Sequence, residues 1–201
     1  MCKEQLIISV GREFCSGGHA IAEMLAERFG LPLYDSNLLH EIAETKEVDI
    51  NNLARYDEIP KKRLFSRRVK GYSNSPEENV AHMQFKYLRE KAEEGKSFVI
   101  VGRCADEILK GAPGLVTIFV LGDMDKKVER FCSLYNVTPD KAKNIIKKTN
   151  RKRKNYHNYY CDGKWGDSRN YELSINSSTL GLEKTADMIE TFIKEKQSLR
   201  G

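Results

Sequence analysis

Continuous apolar runs alternate along the chain with segments of helical hydrophobic period, and this pattern predicts strands separated by amphipathic helices. Short apolar runs, bounded by glycine or charged residues, are typical of strands buried on both faces. They lie at residues 5–10, 31–34, 97–101 and 115–121, and in YELSI at 171–175. Strands that alternate with helices form βαβ units, so the predicted fold class is α/β, with a mostly parallel sheet flanked by helices.

The helices between these strands have recognisable ends. The first runs from Gly17 to Phe29 and stops at Gly30, a residue that favours helix termination. Further helices are predicted to begin near Ser75, Asp123 and Thr138 and after the last strand.

Three polar segments directly follow predicted strands: residues 11–19, Asp35, and Gly102 with Arg103. In open α/β sheets, ligands bind beyond the carboxyl ends of the strands. We therefore expect these segments to converge on one crevice.

The segment after the first strand has the outline of a phosphate-binding loop. A glycine turn between a strand and a helix directs backbone N–H groups at an anion. A complete phosphate loop also carries a lysine followed by serine or threonine, but here Gly18 and His19 take those places. Two interpretations stand: Cys15, Ser16, Gly17, Gly18 and His19 bind a phosphate, or the glycines only let helix and strand approach closely.

The other two segments supply candidate acceptor-binding residues. Arg103 follows a doubly buried strand, and the planar fork of a guanidinium suits phosphate. The alternative is an arginine that caps or pairs a carboxylate such as Asp106. Asp35 either accepts hydrogen bonds from a substrate or caps a helix that begins near Asn37.

A phosphoryl-transfer site without the lysine needs positive charge from another residue. Arg12 is the nearest cation in sequence, with a surface or salt-bridged role as its alternative. Lys147, Arg151 and Lys154 recur at i, i+4 and i+7 and share one helix face, while Arg153 lies off that line. We expect Arg12, Arg151 and Arg153 to be the candidate catalytic residues.

The composition of the chain argues against several kinds of site and several locations. The formal net charge is +5, and the five cysteines show no CxxC spacing, so neither a disulfide framework nor a metal site is indicated. No apolar run reaches the roughly 18 residues that span a bilayer, and the N-terminus lacks the long apolar core of a secretory signal. We expect a cytoplasmic protein without a membrane partner.

Four segments resemble the bacterial cytidylate kinase-like family, relatives of the nucleoside monophosphate kinases. They are GREFCSGGHAIAEMLAERFGLPLYD, FVIVGRCADEIL, NYHNYYCDGKWGD and YELSINSSTLGLE. In this family the position of Cys15 is usually glycine, and the phosphate-loop lysine is commonly absent.

The resemblance implies a single three-layer P-loop kinase-like domain over residues 1–201, with a five-stranded parallel sheet. It also implies a helical acceptor-binding insertion at about 36–95, a basic lid at about 138–170, and the use of ATP and Mg²⁺. By the same likeness Arg103 contacts the acceptor nucleotide, whereas Arg151 and Arg153 match the lid arginines by region only.

The leading functional hypothesis is an ATP-dependent phosphotransferase that acts on a small nucleotide, with cytidylate favoured. A second hypothesis is a nucleotide-binding regulatory protein without turnover. A third is a nucleic-acid binder that uses the basic runs at 61–70 and 147–154, although no RNA-recognition or helix-turn-helix pattern accompanies them. The sequence fixes neither the acceptor nor the oligomeric state.

Overall fold

Five short strands of nearly continuous apolar sequence form one parallel sheet. The computed structural model describes residues 4–39, 42, 68–69, 72–73 and 75–199. The strands of the sheet are β1 (Ile7–Arg12), β2 (Leu33–Tyr34), β5 (Phe98–Val101), β6 (Leu115–Leu121) and β7 (Leu173–Asn176). A separate antiparallel pair joins β3 (Arg68–Val69) to β4 (Tyr72–Ser73).

Five of the helices are those that the sequence predicts, in the predicted order, and the short helix at Ala105–Ile108 is one that it did not predict. The helices are α1 (Gly18–Phe29), α2 (Pro76–Glu93), α3 (Ala105–Ile108), α4 (Met124–Tyr135), α5 (Pro139–Tyr160) and α6 (Ser177–Ser198), with a 3-10 turn at Ser168–Asn170. None of the helices in the described part of the chain is long and apolar enough to cross a membrane.

The sheet order is β2–β5–β1–β6–β7, and every neighbouring pair is parallel. The chain leaves β1 towards one edge for β2 and β5, then crosses to the other side for β6 and β7. The strand order therefore reverses beside β1, which is where doubly wound sheets bind ligands.

Alternate residues of each strand face opposite layers, and each layer is a separate apolar core. On one face, Ile8 and Val10 pack against Ile21 and Leu25 of α1 and Ile189 of α6. On the other face, an equally buried core forms between the sheet and α2; its members include Ile7, Phe98, Ile100, Tyr87 and Leu88. The expectation of a five-stranded parallel sheet flanked by helices is confirmed.

The predicted insertion and lid differ in how far the structure describes them. Much of the expected insertion at about 36–95 lies outside the described residues. The basic run at 61–70 also lies outside them, except for the backbone of β3. Within that range, α2 packs on the sheet as part of the main core. Most of the expected lid at about 138–170 is the 22-residue helix α5, which pairs with α4 through Phe131, Ala142 and Ile146.

Candidate active site

The turn between β1 and α1 presents unused backbone donors at its helix end. First-turn N–H groups of a helix have no intrahelical acceptor, and α1 begins at Gly18. Within the described residues, no protein group accepts a hydrogen bond from the N–H groups of Gly18, His19 or Ala20. These donors, together with the positive end of the helix dipole, favour an anion at this position.

Two residues of the turn adopt left-handed backbone conformations. Gly17 has φ 81° and Cys15 has φ 62°. A non-glycine residue in this region is strained, so Cys15 stands at a position that glycine would occupy without strain. Burial raises the pKa of the Cys15 thiol, although Arg130, Arg153 and Lys127 lie close enough to oppose that rise. Cys15 is therefore a protonated thiol in a positive environment and has no feature of an activated nucleophile.

The absence of a side chain at Gly18 has a steric reason. A Cβ added there would lie 2.5 Å from Cβ of Arg12 and 3.2 Å from Cγ of the same residue. The Arg12 side chain thus begins in the space that a lysine at position 18 would need. At Gly17, an added Cβ would collide with the Arg130 guanidinium and with Leu182.

Hydrogen bonds of two serine hydroxyl groups hold the turn between β1 and α1 in place. The Ser16 hydroxyl donates to the carbonyl groups of Glu13 and Val120, both at 3.0 Å. The Ser177 hydroxyl donates to the Ser16 carbonyl oxygen at 2.5 Å. The Ser16 side chain therefore anchors the turn, so any contact of Ser16 with a phosphate would come from its backbone.

An ion pair adds a second anchor for the turn. Oε2 of Glu13 lies 2.5 Å from the buried ammonium of Lys127 and accepts the Gly122 N–H at 3.2 Å. This pair connects the turn to the first turn of α4.

A cavity of about 520 Å³ opens in front of the turn and gathers most of the residues that the sequence singles out. Its lining includes Arg12, Cys15, Gly17, Gly18, His19, Asp35, Arg103 and Arg153. The carboxyl ends of β1, β2 and β5 thus meet in one crevice. Of the predicted site residues, Ser16 and Arg151 do not line this cavity.

Asp35 and His19 face each other across the crevice, with His19 Nε2 3.4 Å from Asp35 Oδ2. The other carboxylate oxygen of Asp35 accepts the Asn37 N–H at 2.9 Å, as the capping alternative requires. Arg103 is 4% exposed, and its Nη2 donates to the Asp35 carbonyl oxygen at 3.3 Å. Asp106, the alternative partner of Arg103, instead lies 2.7 Å from His157.

The backbone at Arg103 is strained. Three consecutive residues, Gly102, Arg103 and Cys104, have φ values of 77°, 57° and 57°. Left-handed conformations cost about 1–3 kcal/mol each for non-glycine residues and concentrate at functional sites. Here they turn the chain sharply at the end of β5 and place the Arg103 guanidinium in the crevice.

The two arginines of α5 that the sequence singles out, Arg151 and Arg153, have different environments. Arg153 is half-buried, donates to the Arg12 carbonyl oxygen at 3.4 Å and lies 5.4 Å from the centre of the Phe14 ring. Arg151 is exposed, as are Lys147 and Lys154, so the basic stripe of the sequence is a solvent-facing surface. Arg153, which does not belong to this stripe, lines the main cavity.

Arg130 on α4 is a site residue that the sequence analysis missed. It lines the cavity of about 520 Å³ and also a second cavity of about 410 Å³ on the other side of the turn. The second cavity is walled by the start of α6, including Ser177, Ser178 and Leu182. Nothing in the spacing of α4 distinguishes Arg130 from a surface cation, because its role depends on contact with Gly17, far away in sequence.

No group of three or more His, Cys, Asp or Glu side chains among the described residues is arranged to hold a metal ion. Two carboxylates line the main cavity: Glu13, which is paired with Lys127, and Asp35. Mg²⁺ commonly binds through one or two carboxylates together with substrate phosphates. Magnesium that arrives with a nucleotide fits this cavity, in which Asp35 is a carboxylate without a lysine or arginine ion pair among the described residues.

Comparisons with known proteins agree with this architecture. A chain described as an uncharacterized protein from Eubacterium ventriosum ATCC 27560 is 39% identical, with a TM-score of 0.76 over 94% of this chain and 99% of that one. Shikimate kinase from Bacteroides thetaiotaomicron is 14% identical, with a TM-score of 0.56 over 94% of this chain and 98% of that one.

A sugar kinase from Janibacter sp. HTCC2649 is 15% identical, with a TM-score of 0.54 over 94% of this chain and 95% of that one. These two kinases share the fold with this chain. No curated protein matches the chain.

The model of the cytidylate kinase-like family matches residues 7–179. That range contains the turn, the strained end of β5, α4, α5 and the start of α6, and so includes the site described above apart from Leu182. Family and fold together indicate a phosphotransferase that acts on a small molecule. The chain belongs to the cytidylate kinase-like family.

Proposed function

We propose that this protein transfers the terminal phosphoryl group of ATP to a nucleoside monophosphate, with cytidylate as the favoured acceptor. The observation that carries the proposal is the cavity of about 520 Å³, in which the N-terminus of α1 faces four arginines: Arg12, Arg103, Arg130 and Arg153. Phosphoryl transfer needs little covalent chemistry from a protein, so positioning and charge stabilisation supply the catalysis.

The donor phosphates would lie on the N–H groups of residues 17–20, where the helix end is positive. The second cavity of about 410 Å³ adjoins the same turn and shares Cys15 and Arg130 with the first cavity. It is large enough for the nucleoside part of the donor, and the phosphates would then pass over the turn into the main cavity. Mg²⁺ would enter as the counterion of ATP.

The acceptor would occupy the side of the main cavity formed by β2 and β5. Arg103 would bind its phosphate, and Asp35 would accept hydrogen bonds from its polar groups or meet the magnesium ion. Arg12 would supply the charge that the lysine provides in a complete phosphate loop, because its side chain starts beside Gly18. Arg130 and Arg153 would stabilise the charge of the transferring group from α4 and α5.

The test is release of ADP from MgATP in a coupled assay with a panel of acceptors. The panel contains CMP, dCMP, UMP, AMP and GMP, and also shikimate and a hexose, since shikimate and sugar kinases share the fold. We expect CMP to give the highest kcat/KM. A better rate with shikimate or the hexose would contradict the nucleotide acceptor but retain the kinase.

A chain that binds ATP in calorimetry but releases no ADP with any acceptor would be a nucleotide-binding regulatory protein. A chain that binds no ATP would contradict the whole proposal.

A further inference from the structure

His19 stands where a complete phosphate loop has the serine or threonine that binds magnesium. A hydroxyl group binds a cation through oxygen, whereas a neutral imidazole binds it through nitrogen. The hydroxyl of Ser16 is not a substitute, because it donates to the carbonyl groups of Glu13 and Val120. A cation that reaches this position therefore meets a nitrogen donor in place of an oxygen donor.

The His19 imidazole faces a carboxylate inside the main cavity. His19 Nε2 lies 3.4 Å from Asp35 Oδ2, and both residues line the cavity of about 520 Å³. The side chain of His19 is 50% exposed and that of Asp35 is 21% exposed. Both groups are therefore accessible to a ligand that enters the cavity.

The distance between these two groups suits a shared cation better than a direct hydrogen bond. Good N–H···O hydrogen bonds are about 2.7–3.2 Å long. Two donor atoms that bind one cation, each about 2.1 Å from it, lie about 3.0 Å apart at a right angle and about 3.4 Å apart at a tetrahedral angle. His19 and Asp35 can thus become ligands of one ion with little movement.

The Asp35 carboxylate is already held in a suitable orientation. Asp35 Oδ1 accepts the Asn37 N–H at 2.9 Å, and Asn37 Oδ1 accepts the Asp35 N–H at 3.2 Å. These bonds fix one carboxylate oxygen and leave Oδ2 facing His19. Metal-binding carboxylates are commonly hydrogen-bonded in this way.

Glu23 offers His19 an alternative partner outside the cavity. Its Oε1 lies 3.5 Å from the same Nε2, one helical turn along α1. The Glu23 side chain is 57% exposed and does not line the main cavity. Glu23 is therefore the matched control for Asp35, because it lies at nearly the same distance from His19 but away from the proposed nucleotide.

Two protein ligands are too few for a metal site on their own, and no larger group of such side chains occurs in the part of the chain that the structure describes. Phosphate oxygens of a nucleotide on the neighbouring turn would complete the coordination, since Mg²⁺ commonly binds through one or two carboxylates and substrate phosphates. The inference thus rests on the proposed function.

We propose that His19 and Asp35 together bind the divalent cation of the nucleotide, and that this site selects a first-row transition cation over Mg²⁺. Mg²⁺ prefers oxygen ligands, whereas imidazole nitrogen suits transition cations. Mg²⁺ remains usable at higher concentration, through Asp35 and the phosphates. Mn²⁺ is the weakest binder of the transition series, so a preference for Mn²⁺ over Mg²⁺ is a stringent form of the proposal.

The test measures cation binding without turnover. The unaltered protein is kept in excess over β,γ-methylene-ATP, Mn²⁺ is titrated while EPR follows the free ion, and Mg²⁺ is then added as a competitor. The ratio of the two dissociation constants gives the preference. The same titration of the analogue alone gives the preference that the phosphates supply, and the protein should raise it.

Two site variants and one control identify the protein ligands. His19→Ser, which restores the hydroxyl group of a complete phosphate loop, should lower the preference for Mn²⁺ over Mg²⁺ by about tenfold or more. Asp35→Asn should weaken the binding of both cations, because it removes an oxygen ligand. Glu23→Gln should change neither dissociation constant by more than about twofold, because an exposed pair contributes little.

Pulsed EPR identifies the nitrogen ligand directly. Mn²⁺ that is coordinated by an imidazole couples to the ring nitrogen, and labelling the protein with ¹⁵N-histidine separates this signal from the nitrogens of adenine. We expect ¹⁵N coupling in the unaltered protein and in Glu23→Gln, and none in His19→Ser. Absence of the coupling from the unaltered protein, or an unchanged cation preference in His19→Ser, would overturn the proposal.

A further measurement separates this inference from the proposed function. If the ATP analogue does not bind, the proposed function fails, and pyrophosphate then supplies the phosphate oxygens in its place. Coupling of Mn²⁺ to the His19 nitrogen in the presence of pyrophosphate would support the cation site independently. Absence of coupling under that condition would overturn the cation site as well.

Discussion

Gly18 and Arg12 compete for the same space at the start of α1. A Cβ at position 18 would lie 2.5 Å from the Arg12 Cβ, an atom fixed by the backbone of β1. The side chain of Arg12 and a lysine at position 18 are therefore alternatives. The cation that we propose in place of the phosphate-loop lysine, Arg12, therefore comes from β1 and not from the helix.

This competition predicts the effect of restoring the lysine. Gly18→Lys should lower the free energy of unfolding by about 1–3 kcal/mol, as overpacked sites do, and should not raise turnover. Arg12→Ala should lower kcat by about 10²- to 10³-fold, as the removal of one electrostatic group at a transition state does, and should leave ATP affinity within a few-fold. Denaturant unfolding and the ADP assay measure both effects. A strong rise in activity of Gly18→Lys would show instead that the turn is an impaired phosphate loop.

The buried His157–Asp106 pair gives a second prediction at this scale. The folded chain holds the His157 proton up to about pH 10, while the unfolded chain loses it near pH 6.5. Stabilisation by the pair is thus complete below pH 6.5 and is lost as the pH rises towards 10. Nitrogen chemical shifts of the His157 ring should show an imidazolium at pH 8. The Asp106→Asn variant should show a neutral ring at that pH.

Cys161 has the opposite pH dependence, because its pKa falls from 9.0 to about 7 on folding. Its contribution to stability is present above pH 9 and is lost as the pH falls through 7. Unfolding experiments on His157 are therefore best made with Cys161→Ser, in which stability should decline between pH 6.5 and 10. If the free energy of unfolding of that variant does not change between pH 6.5 and 10, the His157–Asp106 pair does not stabilise the fold as predicted.

At the scale of the element, α5 shows what periodicity predicts and what it leaves open. The spacing of Lys147, Arg151 and Lys154 places them on one face, and the structure shows that this face is exposed. The sequence does not reveal which face meets the crevice, because the buried positions include polar His157 as well as Ile146. Arg153 is the example: it lies outside the stripe of Lys147, Arg151 and Lys154, yet it lines the main cavity.

The two arginines of α5 form a matched pair for mutation. Arg153→Ala should lower kcat by about 10²-fold or more, because this guanidinium lies in the main cavity. Arg151→Ala should leave turnover within a few-fold, because Arg151 is an exposed residue two positions away on the same helix. Equal losses in both variants would show that the helix rotates or closes during catalysis.

At the scale of the whole molecule, the order of elements was predictable and the convergence of side chains was predictable only in part. Continuous apolar runs mark the buried strands and a helical period marks the amphipathic helices, so the α/β class and the sheet edge that carries the candidate site follow from the sequence. Asp35 and Arg103 lie at the carboxyl ends of strands, and topology alone brings them together. Arg130 and the Glu13–Lys127 pair could not be predicted, because each depends on how α4 packs against the turn.

A site formed by so many elements should couple ligand binding to global stability. MgATP at 100 times its Kd should raise the free energy of unfolding by about 2.7 kcal/mol, and the Arg130→Ala variant should need more MgATP for the same effect. A single-stranded RNA at equal phosphate concentration is the control and should stabilise the protein much less. Tight, salt-dependent stabilisation by RNA without an effect of ATP would favour the nucleic-acid hypothesis.

The anchored turn also has a kinetic consequence. Ser16, Ser177 and the Glu13–Lys127 pair hold the turn in place before a ligand arrives, so no slow loop-ordering step should precede phosphate capture. Diffusion and long-range attraction by the arginines would then limit the association rate. That rate should fall steeply as ionic strength rises, while the dissociation rate should change little. Stopped-flow measurement with a fluorescent ATP analogue would report both rates across a salt series.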